Sequence, residues 1–187
     1  MTKRIFIAFP VNDAVRTELG GVIRVLASRT DRTETVRWVD PAEMHITAHF
    51  LGDFESVDTE NIKRVCEAVS REFKPSVARL KAVSAFPEHG APRVITVSVI
   101  EDHEMTLRRI QAALGVRLVK LGYAIDRRVW TPHITLGRVK TEINPEKLKD
   151  IEVKPVEFEI QSIELLESQR DQNGAHYEPI QICKLAS

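Results

Sequence analysis

The sequence predicts an α+β fold of two antiparallel-dominated sheets, each with an outer helical cover, facing each other across a central cleft. Three observations carry this prediction. The triplet His45-Ile46-Thr47 returns as His133-Ile134-Thr135, 88 positions later. The apolar run Arg4-Ile5-Phe6-Ile7-Ala8-Phe9 superposes on Arg93-Val94-Ile95-Thr96-Val97-Ser98 at an offset of 89. Each of those runs is followed by a helical pattern, at about 13–27 and 103–120. The chain therefore reads as two versions of one strand, helix and His-x-Thr strand unit, an internal pseudo-two-fold repeat within a single bilobal domain 1–187. The first repeat runs to about residue 85 and the second from about 86, with a closing hairpin.

Residues 5–9 form an apolar run of strand length ended by Pro10. Asn12 or Asp13 caps the following helix, in which Val15, Leu19, Val22, Ile23 and Leu26 recur at helical spacing. Gly20 and Gly21 weaken that helix, each by about 1 kcal/mol relative to alanine. Residues 28–35 form a polar linker, and 36–39 a short strand whose Trp38 packs on the core or rims the cleft. After the first His-x-Thr strand, 54–58 is a turn. A second helix carries Ile62, Val65, Cys66, Val69 and Phe73 and stops near Pro75. Residues 76–81 alternate as a strand, 84–92 form a loop rich in turn formers, and 93–100 is the clearest strand. The third helix, about 101–121, bears Leu107, Ile110, Leu114, Leu118 and Leu121 on one stripe, with Gly122 as its carboxy-terminal cap. Beyond the second His-x-Thr strand, 141–150 is polar. Residues 156–166 and 177–183 read as strands around a hairpin-like turn at 169–174.

Composition bounds the function. At 187 residues and 43% hydrophobic content the chain can bury a full core, which excludes the disordered and fibrous classes. Its 27 Lys plus Arg against 27 Asp plus Glu leave no net charge, so the overall footprint of a protein that coats long nucleic acid is missing and any such substrate has to be gripped locally. Two cysteines, Cys66 and Cys183, make neither a disulfide scaffold nor a Cys-rich zinc site. The five-residue apolar run before Pro10 is too short for a signal-peptide core or a membrane span. The expectation is a cytoplasmic monomer with no membrane contact.

The chemistry lies in the repeated triplets. Alternation puts His45 and Thr47 on one strand face and His133 and Thr135 on another, with Ile46, Ile134 and Leu136 turned to the core. Two imidazoles across one cleft can take a proton from a nucleophile and give one to a leaving oxygen near neutral pH, with no metal or cofactor. A threonine two residues along, about 6–7 Å away, can donate to a nonbridging phosphoryl oxygen without adding charge. Arg128 and Arg138 are the local cations for an anionic phosphate. Arg138 lies an odd five positions from His133, so strict alternation turns it away unless the strand bends near Gly137. His49 would share the face of His45 and Thr47, which raises a zinc site of His45, His49 and His133. Strand i, i+4 spacing, about 13 Å, is too long for one ion, and no metal is expected. Among Phe86, Trp38, Trp130 and Tyr177, each able to stack on a base, Tyr177 is favoured because it follows a glycine-containing turn. His89, His103 and His176 read as exposed polar residues.

With these motifs in place the chain resembles the 2H phosphoesterase superfamily. Within it, it is similar to the bacterial and archaeal RNA 2′,3′-cyclic phosphodiesterases, long called 2′-5′ RNA ligases. The opening strand Arg4-Ile5-Phe6-Ile7-Ala8, the Arg37-Trp38 approach, His45-Ile46-Thr47 with Phe50-Leu51-Gly52, Phe86-Pro87, Pro92-Arg93-Val94, and Pro132-His133-Ile134-Thr135-Leu136-Gly137-Arg138 carry the likeness. So do Leu165 to Ser168, Gly174 and Tyr177 of the tail. Ala48, His49, Ser84 and Trp130 depart from the family's usual residues, and none removes a catalytic group. The resemblance implies hydrolysis of a 2′,3′-cyclic phosphate at an RNA end to a 2′-phosphate. His133 would be the proton acceptor, His45 the proton donor, and Thr47 and Thr135 the anion grips. It also implies reversible 2′-5′ joining with a 5′-hydroxyl in place of water. Two alternatives stay open: a phosphodiesterase for a small cyclic-phosphate nucleotide or 2′-5′ oligonucleotide, and a non-catalytic RNA-end binding module.

Overall fold

A computed structural model describes residues 3–30, 35–54, 59–87, 90–170 and 175–187. Among the described residues, nine strands and three α-helices follow in the order β1 (Lys3–Pro10), α1 (Asp13–Arg29), β2 (Val36–Trp38), β3 (His45–Phe54), α2 (Thr59–Ser70), β4 (Ser76–Phe86), β5 (Val94–Glu101), α3 (Thr106–Lys120), β6 (His133–Val139), β7 (Glu157–Ile160), β8 (Ser162–Arg170) and β9 (Ala175–Lys184). The expected turn at 54–58, the linker at 28–35, the hairpin turn at 169–174 and His89 fall wholly or partly outside the described residues.

The strands join one antiparallel sheet in the order β7-β4-β5-β6-β3-β1-β8-β9, with β2 paired to β6. This corrects the expectation of two separate sheets. The two histidine strands touch at Ile46↔Ile134, and that backbone pairing makes the sheet continuous. The order of strands in the sheet does not follow the chain. β4 lies beside β5, while the late strand β8 pairs with β1.

Two strand boundaries also moved. The loop expected at 84–92 begins later, because Ser84, Ala85 and Phe86 still pair with Thr96, Ile95 and Val94. The single strand expected at 156–166 is two. β7 pairs with β4 at one end of the sheet and β8 with β1 near the other; one continuous strand cannot serve both edges.

The helices cover one face. β1 sends Ile5, Ile7 and Phe9 into the main core, where they meet Val15, Leu19, Val22 and Leu26 of α1, Ile62, Val65 and Val69 of α2, and Leu107, Ile110, Leu114 and Leu118 of α3. Burial of such side chains stabilises by about 1.5–3 kcal/mol each. Asn12 caps α1, its Oδ1 accepting from Val15 N at 3.0 Å. Asp102 Oδ1 accepts from Thr106 N at 3.0 Å, so α3 starts later than expected, after Glu101 has completed β5. Gly122, at φ +87°, ends it as expected. The alternate residues of β1, Phe6 and Ala8, point to the opposite face, where they pack with Leu166 and Tyr177.

Candidate active site

Both His-x-Thr triplets project from this opposite face. About the Ile46↔Ile134 bridge, antiparallel pairing sets His45 across from Thr135 and Thr47 across from His133. Ile46 and Ile134 are fully buried on the helix side, so the four polar side chains form a two-by-two array over the strand junction. The histidines are tied in the same way. His45 Nδ1–H donates to Glu43 O at 2.8 Å, and His133 Nδ1–H donates to Thr131 O at 2.7 Å. Each carbonyl belongs to the residue two places before the histidine, so each ring turns its Nε2 away from that carbonyl. Thr47 Oγ1 lies 3.1 Å from His45 Nε2. Aromatic rings flank both imidazoles: Phe6 and Tyr177 at 4.9 and 5.0 Å from His45, and Phe86 at 5.3 Å from His133.

Burial pushes the His45 pKa down to about 4; the Glu43 carbonyl opposes this, and His133 and Arg138 add to it by repulsion. Near neutral pH His45 is therefore uncharged, and the Thr47 hydroxyl donates to its Nε2. A phosphate anion in the same place would reverse the repulsion and favour the imidazolium.

A matching irregularity in both histidine strands decides which other residues join the array. In the β1–β3 pairing Ile7 faces His49 and Ala8 faces Thr47, leaving Ala48 as an extra residue. In the β5–β6 pairing Ile95 faces Gly137 and Thr96 faces Thr135, leaving Leu136 extra. Each bulge falls three residues after its histidine and reverses the alternation beyond it. His49 is thereby turned to the helix side, 3% exposed, where its Nε2–H donates to Gln111 O of α3 at 2.7 Å. The shared face expected for His45 and His49 does not exist. Arg138 is turned the other way, onto the histidine face. Gly137 makes room for this arrangement: a Cβ there would stand 2.8 Å from both the Trp38 ring and Val36 Cγ1.

A cavity of about 360 Å³ opens beside His45, lined also by Thr47, Arg138, Tyr177, Phe6 and Phe50. Arg128 is not part of it. Its guanidinium is held by Asp126 at the rim of a separate cavity over α3 that contains His49 and Trp130, because 126–132 has no strand to carry Arg128 to the other face. Trp130 Nε1–H donates to Thr47 O at 2.9 Å and Trp130 packs on the core, so it anchors the loop. Sequence reasoning missed His176, Arg4, Arg37, Glu43, Phe50 and Lys140, all of which line the histidine cavity. His176 Nδ1 approaches Glu43 Oε1 at 3.6 Å. Strand parity counted from Tyr177 would have turned His176 away, and no local pattern marked it. Among the described residues no group of three His, Cys, Asp or Glu side chains is placed to hold a metal ion.

Two His-x-Thr strands paired side by side in one antiparallel sheet mark a 2H phosphoesterase. The chain belongs to the 2′-5′ RNA ligase superfamily, whose family model matches residues 24–172. A protein of Archaeoglobus fulgidus named RNA 2′,3′-cyclic phosphodiesterase is 35% identical over 144 residues, 76% of each chain. One of the same name from Methanothermobacter thermautotrophicus is 26% identical over 190 residues, 99% of this chain and all of that one. Two solved structures share the fold at lower identity. TT0787 of Thermus thermophilus superposes with a TM-score of 0.81 at 23% identity, over 97% of both chains. E. coli LigT complexed with 3′-AMP superposes with a TM-score of 0.73 at 18% identity, over all of both.

Proposed function

We propose that this protein hydrolyses the 2′,3′-cyclic phosphate of an RNA end to a 2′-phosphate by two-histidine acid–base catalysis without a metal. The observation that carries this is the array of His45, Thr47, His133 and Thr135 about one strand bridge, with both Nδ1 atoms tied to backbone carbonyls. The relatives named above supply the substrate class. Water attacks phosphorus in line with the 3′ oxygen. His133 Nε2 accepts the water proton as the new P–O bond forms. His45 Nε2–H gives its proton to the 3′ oxygen as that P–O bond breaks. The Thr47 and Thr135 hydroxyls donate to the nonbridging oxygens, and Arg138 adds positive charge at the cavity wall. The donor role requires His45 to gain a proton on binding, and the substrate anion supplies the field that raises its pKa. Thr47 is then freed from His45 Nε2 to turn to the phosphate. A 5′-hydroxyl in place of water gives 2′-5′ joining by the same steps, and their reversal cleaves the 2′-5′ bond.

The strand order supports reading the molecule as two lobes related by a pseudo-two-fold: β6-β5-β4-β7 and β3-β1-β8-β9 each have a histidine strand innermost. None of the described helices is long and apolar enough to cross a membrane. Both cysteines are free and buried, in keeping with a cytoplasmic monomer; sedimentation would test the monomer.

The test is product analysis of a short RNA bearing a 2′,3′-cyclic end, incubated with protein in excess chelator. The expected product is the 2′-phosphate. His45→Ala and His133→Ala should each lower kcat by about 10²–10⁴. Near-normal rates in both variants would overturn the two-histidine mechanism.

A further inference from the structure

Arg37 of β2 and Arg138 of β6 are direct partners across an antiparallel pair. Partners of this kind leave the sheet on the same face with Cβ atoms about 5 Å apart, and like charges so placed destabilise the pair. Neither guanidinium forms a hydrogen bond or an ion pair with a described residue. Lys140, two residues beyond Arg138, lines the same cavity.

The acids of that cavity do not relieve the repulsion, because both are engaged elsewhere. Asp40 Oδ1 accepts from Ala42 N at 2.9 Å. Glu43 Oε2 accepts from Tyr177 N at 3.0 Å, and its other oxygen faces His176. Two opposed arginines and a lysine held without counterions among the described residues form a site awaiting an anion.

Its position identifies the anion. The bulge at Leu136 leaves Thr135 and Arg138 one pleat repeat apart on the same face, about 7 Å. A cyclic phosphate gripped by Thr47 and Thr135 therefore has the arginine pair one step along the strand. On an RNA 3′ end, the next negative charge is the phosphodiester on the 5′ oxygen of the terminal nucleoside. A nucleoside 2′,3′-cyclic phosphate has no such group.

We propose that Arg37, opposed to Arg138 and followed by Lys140, grips the phosphodiester immediately 5′ to the cyclic end, so that the substrate is a polynucleotide and not a mononucleotide. This rests on the cyclic phosphodiesterase reading of the histidine array and adds the residue that reads the phosphodiester next to the cyclic end. Arg37 acts here as a specificity residue, since the bonds that break lie at the neighbouring phosphate.

The experiment compares three substrates: adenosine 2′,3′-cyclic phosphate, a dinucleotide ending in the cyclic phosphate, and the same dinucleotide with a neutral methylphosphonate linkage. Wild-type kcat/KM should be about tenfold or more higher for the charged dinucleotide than for the other two. Arg37→Ala should collapse that ratio, chiefly through KM, and make the salt slope for the charged dinucleotide shallower by about 0.7. Arg37→Lys should restore part of the ratio. Equal wild-type rates on charged and neutral linkages, or an unchanged ratio in Arg37→Ala, would overturn the proposal.

In parallel, fluorescence anisotropy measures binding of dye-labelled dinucleotide 2′-phosphates with charged and neutral linkages. If wild-type protein turned over none of the cyclic substrates, the catalytic reading would fail. A preference for the charged linkage that Arg37→Ala abolishes would then still support the grip, and its absence would overturn that too.

Discussion

At the scale of the residue, the site turns on what burial does to His45. Its pKa falls from the usual histidine value of 6.5 to about 4, and burial moves His49 in the same direction. Between about pH 6.5 and 4 the unfolded chain binds a proton at this position that the folded chain does not. Stability therefore declines on acidification through that window, and the contribution is fully lost below the folded value. His45→Gln should lose less stability than wild type between pH 7 and 4.5, measured by urea unfolding at each pH. An equal loss in the two proteins would mean that the ring is not desolvated. Inorganic phosphate should act oppositely, raising the His45 titration midpoint followed by proton NMR, since an anion at the array favours the imidazolium. A midpoint unmoved by saturating phosphate would contradict the donor role.

At the scale of the element, the paired bulges at Ala48 and Leu136 do the selecting. Each sits three residues past its histidine, and each exchanges which side chains face the histidine array. The second depends on Gly137, because β2 lies against it so closely that a Cβ would meet Trp38 and Val36 at 2.8 Å. Gly137→Ala should cost about 1–3 kcal/mol of stability and shift β2, which carries Arg37. The loss should appear as a lower thermal midpoint together with a raised KM for an oligonucleotide substrate. A variant with wild-type stability would show that β2 yields freely. The strands themselves were legible from alternation: His45, Thr47, His133 and Thr135 stand where period two puts them. Arg138 and His49 were not, because parity counted along one strand has no means of registering an extra residue opposite a neighbour.

At the scale of the whole molecule, zero net charge coexists with a cavity that concentrates Arg4, Arg37, Arg138 and Lys140. Attraction is therefore short-ranged and confined to an end. The logarithm of kcat/KM for a cyclic-ended RNA should fall with the logarithm of salt at a slope of about −1.4 to −2, for two or three phosphates. Lengthening the RNA from three to twelve nucleotides should not steepen it. A slope that grew with length would show many phosphate contacts instead.

The sequence by itself determined the three amphipathic helices with their buried stripes and the strand face shared by the histidine and threonine of each triplet. These follow from periodicities of 3.6 and 2 that each segment carries internally. Only the tertiary structure decided that the strands form one sheet, that β7 and β8 part to opposite ends of it, and that Arg37 and Arg138 confront each other. It also sent Arg128 and His49 to the far side and brought His176 and Glu43 beside His45. Those outcomes depend on backbone hydrogen bonds between segments distant in sequence, and a bond of that kind leaves no mark on either segment until the two are side by side.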